Sequence, residues 1–474
     1  MTRRADPDLV AQRPQPVINP MALEMEPDGP RKRALEVSHS RVLLGASLFA
    51  VVFLVIAVRL VAVTLLPGGA DIAAAAPVKI KTVDRADILD RNGVVLATSL
   101  TTASLYANPT QVHDPDQYAQ LLNSVLPDLN IASTAAKLDS QREFIWLKRN
   151  LTPRQQQAVN RLGLPGIYFQ AESKRIYPQG NLTAHLVGFT DVDSRGLAGV
   201  EKSFDDVLQA SERPLQLSID VRVQHILHEE LSHAIADFSG IGGAGVILDL
   251  KTGEVLALVS LPDFDPARPG DASDDARFDR ATLGLYEMGS TFKVFNTAIA
   301  LDGGTATLAD GFDASKPIRI GGYTINDYHG KYRFLSIPEI FTYSSNIGSA
   351  KMADVFGAEM QQTYLKRFGL LDKSPIELPE VGEPLYPAPK NWKRINTMTI
   401  AYGHGISVSA LQLITGVGAI VNHGILLEPT LLKREPGEVP QGTRVVSEQT
   451  SEQLRQLIRL VVQVGTGKKA NAPG

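Results

Sequence analysis

Ser290-Thr291-Phe292-Lys293 stands at the head of an apolar stretch, Val294-Phe295-Asn296-Thr297-Ala298-Ile299-Ala300-Leu301, that stops at Gly303-Gly304. The stretch reads as a buried helix with a glycine terminus. A lysine among Phe292 and Phe295 is then partly desolvated. Desolvation disfavours the ammonium, so the neutral amine can take a proton from an alcohol. Serine and lysine three apart share one helical face. A serine at a helix N-terminus also has free backbone N–H groups beside it, which can hold a developing oxyanion. Ser290 and Lys293 are therefore a candidate nucleophile and base. This is the one S-x-x-K in the sequence, and its bland alternative is a chance match.

Ser344-Ser345-Asn346 lies 54 residues beyond Ser290. Short polar side chains of this kind offer donor and acceptor in little space, which suits proton relay and amide binding. They also suit a helix cap or a turn. A third element, Lys251-Thr252-Gly253, stands before the serine, between Val246-Ile247-Leu248-Asp249 and Val255-Leu256-Ala257-Leu258. Apolar runs around a short glycine loop predict a β-hairpin, with Gly253 a left-handed turn residue.

Together, Ser290-x-x-Lys293 and Ser344-x-Asn346 resemble the motifs of the penicillin-binding proteins, whose set is S-x-x-K, S-x-N and K-T-G. The resemblance extends over nearly the whole chain and is nearest to the class B, division-type members. Arg85-Ala86-Asp87-Ile88-Leu89-Asp90-Arg91-Asn92-Gly93 is similar to that class's N-terminal signature. Arg175-Ile176-Tyr177-Pro178, His185, Gly188, Asp193, Gly196, Gly199 and Glu201 are similar to its second signature, and read as structural residues of a pedestal. Tyr286-Glu287-Met288-Gly289 and Tyr402-Gly403-His404-Gly405 also fit, although members often carry proline where Met288 stands. In the family the K-T-G follows S-x-N, so Lys251-Thr252-Gly253 is read as a turn. The expectation is a chain cut short before that motif, near Gly465-Thr466-Gly467-Lys468-Lys469.

Composition narrows the remaining classes. The formal charge of −4 gives no nucleic-acid footprint. The absence of cysteine excludes disulfides and thiolate metal sites. The histidines show no metal-ligand spacing, no phosphate loop is present, and neither a metal nor a cofactor is implied. Val42 to Val58 is an unbroken run of 17 apolar or weakly polar residues. With Leu60-Val61-Ala62-Val63-Thr64-Leu65-Leu66 it is long enough to span a bilayer. Arg31, Lys32, Arg33 and Arg41 precede it, and residues 67–78 carry no basic residue, which places the N-terminus inside. The alternative is a signal peptide cut at Ala73-Ala74-Ala75-Ala76.

The expected organisation is a cytoplasmic disordered tail over 1–41, a transmembrane signal anchor over 42–66, a β-rich pedestal over 67–215 and a transpeptidase domain over 216–474, incomplete at its C-terminus. Gln216–Asp220 reads as a strand, Val221–Leu231 as an amphipathic helix, and Ser409 with Gln412 as a capping box for Ala410–Val421. The fold class is α+β, an antiparallel sheet covered by helices. The resemblance implies a peptidoglycan D,D-transpeptidase of cell division that binds penicillin. In it Ser290 attacks the stem peptide's D-Ala-D-Ala, Lys293 is the base, Ser344 relays protons and Asn346 holds the substrate amide. The implied partners are stem peptides, β-lactams, the membrane, a septal glycosyltransferase and other divisome proteins. Two alternatives stand beside it: a scaffold made inert by the missing third motif, and a serine β-lactamase or β-lactam sensor, for which no E-x-x-L-N segment follows Asn346.

Overall fold

A computed structural model describes residues 45–61 and 85–472. The chain divides into two units between Thr82 and Val83. In the first, residues 45–61 form a helix. No helix among the described residues is long and apolar enough to cross a membrane. The anchor expected over 42–66 runs past the described residues at both ends, and the tail over 1–41 lies outside them.

The second unit begins with a turn that the sequence encodes locally. The Asp90 carboxylate accepts the N–H groups of Asn92 at 2.7 Å and Val94 at 2.8 Å, and Gly93 takes φ 85°. A side-chain acceptor followed by a left-handed glycine reverses the chain. Strands β1 (Ile88–Leu89) and β2 (Val95–Ala107) leave this turn antiparallel. Strands β3 (Ile145–Leu151) and β4 (Ile167–Ile176) both pair with β2. Strand β5 (Leu215–Gln216) returns parallel to β1. Helices Pro115–Val125, Ile131–Leu138 and Pro153–Arg161 close a core of Leu105, Leu122, Leu126, Leu138 and Leu151. The last begins on a Thr152–Gln155 capping box with Pro153 at its first position, so two of its orphan donors are satisfied.

Arg85, Arg175 and Glu201 of the two signatures form one buried ionic knot. Glu201 is fully buried and accepts from Arg85 Nε at 2.5 Å and Arg175 Nε at 2.6 Å. Arg85 reaches on to Asp205 at 2.6 Å. Gly188, at φ 75°, lies so close to Ala198 that a Cβ would sit 1.9 Å from its carbonyl oxygen. The knot ties the first strands to the segment leading toward β5, which supports the reading of these residues as structural.

The remainder is α+β. Strands β6 (Gly243–Leu248) and β7 (Val255–Leu261) form an antiparallel pair, and helices Val221–Asp237 and Ala410–Val421 pack on it. The strand expected at 216–220 is shorter, because only Leu215–Gln216 have a continuous partner and Leu217 makes an isolated bridge to Leu432. The helix expected over 221–231 continues to Asp237. At the centre is the apolar helix Lys293–Asp302, enclosed by Ile337–Thr342, Asn346–Arg367, Ala410–Val421 and Glu448–Val464. Phe292, Phe295, Ile299, Ile340, Phe368, Ile420 and Leu454 share this core. Asp302 closes the helix and accepts from Ser447 N–H at 2.7 Å, Tyr364 Oη at 2.8 Å and Thr450 Oγ1 at 3.0 Å.

Glu201→Ala leaves two buried guanidinium groups without their shared carboxylate. Denaturant unfolding is expected to show a loss of about 3–5 kcal/mol. A loss below about 1 kcal/mol, the level of an exposed pair, contradicts the buried-knot assignment.

Candidate active site

The Ser290 turn is built from a glycine and a tightened helical start. Gly289 takes φ 56°, and Gly289–Phe292 is a single 3₁₀ turn before the α-helix begins at Lys293. In a 3₁₀ turn side chains at i and i+3 eclipse, which brings Ser290 over Lys293 more closely than an α-turn would. Phe292 and Phe295, rings 5.3 Å apart, point into the core and carry Lys293 in with them. Ser290 itself is exposed. The result is an open alcohol above a buried amine. At the head of the turn the Ser290 N–H precedes the first helical acceptor, as helix-start donors do.

Lys293 Nζ has four oxygens around it: Ser290 Oγ at 2.9 Å, Ser344 Oγ at 2.9 Å, Ser344 O at 3.0 Å and Asn346 Oδ1 at 2.8 Å. An ammonium has three N–H donors, and a neutral amine has two and a lone pair. In the neutral state the amine donates to Ser344 O and Asn346 Oδ1, and the lone pair is left to accept from a serine hydroxyl. Lys293 is 3 % exposed, and burial pushes its pKa down to about 8 against the opposing pull of the Asp327 carboxylate.

Ser344 can offer both its carbonyl and its hydroxyl to one amine because it sits at φ 57°, after the helix Ile337–Thr342, whose cap is Tyr343. A left-handed serine costs roughly 1–2 kcal/mol and persists only where its surroundings over-determine it. The capping role that the sequence left open for this cluster falls to the middle residue. Ser345 Oγ accepts from Gly348 N–H at 2.9 Å and donates to Asp327 Oδ2 at 2.8 Å. Ser344 and Asn346 are thereby free to face Lys293. Asn346 Nδ2 donates to Asn326 O at 3.0 Å, which aims its Oδ1 at the amine.

All four candidate residues, Ser290, Lys293, Ser344 and Asn346, converge on one point. Lys251-Thr252-Gly253 sits elsewhere, in the β6–β7 turn, where the Asp249 carboxylate accepts the Lys251 N–H at 2.8 Å and Gly253 takes φ 73°. Sequence reasoning missed Asp327, which also accepts the Ile347 N–H at 2.9 Å and so holds the base of the Ser344–Asn346 turn. It also missed the role of Glu287. That carboxylate accepts the Gly405 N–H at 2.7 Å and lies 3.1 Å from His404 Nδ1, fastening the 403–405 loop beside the nucleophile. Gly403, at φ 81°, is pressed on Gly289, and a Cβ there would stand 2.1 Å from the Gly289 carbonyl oxygen. The one signal for Glu287 was its place beside the Ser290 motif; Asp327 carried none, since its partners stand 18 and 20 residues away.

Residues 243–474 match the penicillin binding protein transpeptidase domain, and residues 80–231 match the penicillin-binding protein dimerisation domain. A probable peptidoglycan D,D-transpeptidase FtsI of Caulobacter vibrioides is 39% identical over 402 residues, covering 82% of this chain and 67% of that protein. The chain belongs to the class B penicillin-binding proteins. The peptidoglycan D,D-transpeptidase FtsI of Escherichia coli K12 is 32% identical over 414 residues, covering 81% of this chain and 70% of its own length. A peptidoglycan synthetase from Bifidobacterium adolescentis shares the fold, with a TM-score of 0.62, 23% identity, and coverage of 80% of this chain and 81% of that one.

Gly403→Ala places a methyl group against the Gly289 backbone. Thermal and denaturant unfolding are expected to show a loss of roughly 1–3 kcal/mol. An unchanged stability contradicts the close approach of the two loops.

Proposed function

We propose that this chain is a division-type peptidoglycan D,D-transpeptidase acting through an acyl-serine at Ser290. The observation that carries the reading is the neutralisable Lys293 amine, held 2.9 Å from an exposed alcohol. Ser290 Oγ attacks the penultimate D-Ala carbonyl while its proton passes to the lone pair of Lys293. The oxyanion forms at the head of the 3₁₀ turn, beside the Ser290 N–H. Ser344 Oγ, also 2.9 Å from Lys293, returns the proton to the departing D-Ala amine. An amine from a neighbouring stem then attacks the ester, and the same groups run in reverse. Asn346 retains one amide N–H beyond its bond to Asn326 and presents it to the substrate peptide. β-Lactams acylate the same serine because they offer a strained amide to the same nucleophile.

The sequence supports the setting of this reaction. The apolar run over 42–66, with basic residues before it, anchors the chain in the cytoplasmic membrane, N-terminus inside, and leaves the catalytic part outside. In chain order the pedestal over 67–215 follows the anchor and precedes the transpeptidase domain over 216–474. A septal glycosyltransferase and other divisome proteins are the partners that fit this placement.

A fluorescent penicillin tests the chemistry. Label is expected on native protein and none on Ser290→Ala; label that survives this replacement contradicts the nucleophile assignment. Lys293→Met is expected to slow acylation by about 10²–10⁴, the range for losing a positioned base. Loss of less than tenfold contradicts that role.

The pH profile carries the sign of the lysine environment. Acylation is expected to rise as the ammonium loses its proton, with a midpoint near 8. Asp327 favours the charged form, so Asp327→Asn lowers the pKa and moves the midpoint to lower pH. A midpoint that stays in place or moves upward contradicts the assignment of Lys293 as base.

A further inference from the structure

Against the Ser344–Asn346 turn lies a segment whose inner side is fastened and whose outer side is left in water. Strands Ile318–Ile320 and Tyr323–Ile325 form a hairpin, and its isoleucines pack with Ala350, Met398 and Tyr402. The next two residues, Asn326 and Asp327, hold the Ser344–Asn346 turn as described. Beyond them Phe334 pairs with Asp313 in a second short ladder.

Along this segment four aromatic rings stand outward, two on the flanking strands and two between them: Tyr323 68 %, Phe334 59 %, Tyr328 91 % and Tyr332 75 % exposed. Single exposed aromatics are ordinary, but a group within twelve residues beside the Ser344–Asn346 turn marks a contact surface. A cation accompanies them. Lys331 Nζ lies 4.7 Å over the ring of Tyr343, the residue before Ser344. The His329 ring stacks edge-on against Tyr328, 4.4 Å away. Asp327, the carboxylate in this stretch, is turned inward to Ser345 and Ile347. The rim therefore offers aromatic faces and positive charge outward.

We propose that this rim is a saccharide-binding surface that holds the glycan strand of peptidoglycan beside Ser290. The proposal rests on the transpeptidase reading above, which supplies the substrate class. A pyranose ring presents an apolar C–H face that stacks on an aromatic face, while its hydroxyls meet water and tyrosine Oη. The stem peptides that the strand carries bear carboxylates, which the Lys331 ammonium attracts. A stem peptide of five extended residues spans about 17 Å, so a sugar held at this rim keeps its own peptide within reach of Ser290. Tethering of that kind raises the local peptide concentration without a new contact in the cleft.

The test uses the full chain carrying Ser290→Ala and isothermal titration with three probes: uncross-linked glycan chains bearing pentapeptides, the same chains stripped of peptide, and the free pentapeptide. The peptide-bearing chains are expected to bind about tenfold or more tightly than free pentapeptide, as tethered sites do. The stripped chains are expected to bind on their own. Adding Tyr328→Ala and Tyr332→Ala is expected to abolish binding of stripped chains and erase the tenfold preference, with an unchanged melting temperature showing an intact fold. Equal affinity for the peptide-bearing and free ligands overturns the proposal. So does a preference that survives the two replacements, which would leave the rim to a protein partner. Failure of the transpeptidase reading looks different: free pentapeptide does not bind, and fluorescent penicillin leaves Ser290 of the unsubstituted chain unlabelled.

Discussion

The site depends on one buried lysine. Lys293 heads a mostly apolar helix, and its amine is carried into the core by Phe292 and Phe295. A cation taken out of water costs several kcal/mol unless it is paired or discharged. Here it is met by neutral oxygens from Ser290, Ser344 and Asn346 in place of a carboxylate. Neutral acceptors do not repay the lost hydration of an ammonium as an ion pair would. The protein holds the group near the point of deprotonation, and that is what an acyl-transfer base requires.

Everything around the lysine preserves that balance. The 3₁₀ turn sets the alcohol over the amine. The left-handed Ser344 turns two oxygens toward it. Asp327 fixes the second motif from below through Ser345 and Ile347, and at longer range restrains the fall of the lysine pKa. Glu287 and the Gly289–Gly403 contact hold the facing loop. Each device acts on orientation more than on substrate, in keeping with catalysis by preorganised polar groups. The ionic knot of Arg85, Arg175 and Glu201 serves the same end farther off, joining the first strands to the segment that leads into the catalytic part.

What was legible in the sequence was local. Asp249–Gly253 announced its turn because a side-chain acceptor and a glycine encode it within five residues. Ser409–Gln412 announced a helix start for the same reason. Ser290 with Lys293 and Ser344 with Asn346 were legible as motifs, since each pair lies within one turn. Asp327 was not, because its partners stand 18 and 20 residues away and nothing in their spacing predicts the contact. Glu287 was quoted only as a neighbour of the serine; its bond to Gly405 crosses 118 residues. The tight 3₁₀ start was also hidden, because helix propensity alone does not separate it from an α-turn.

The account's central claim concerns the charge on one nitrogen. Heteronuclear NMR of isotope-labelled lysine, with the Nζ resonance assigned by Lys293→Met, reports that charge as pH is raised. The account predicts that Lys293 titrates near 8. A midpoint at the ordinary lysine value, near 10.4, would contradict it.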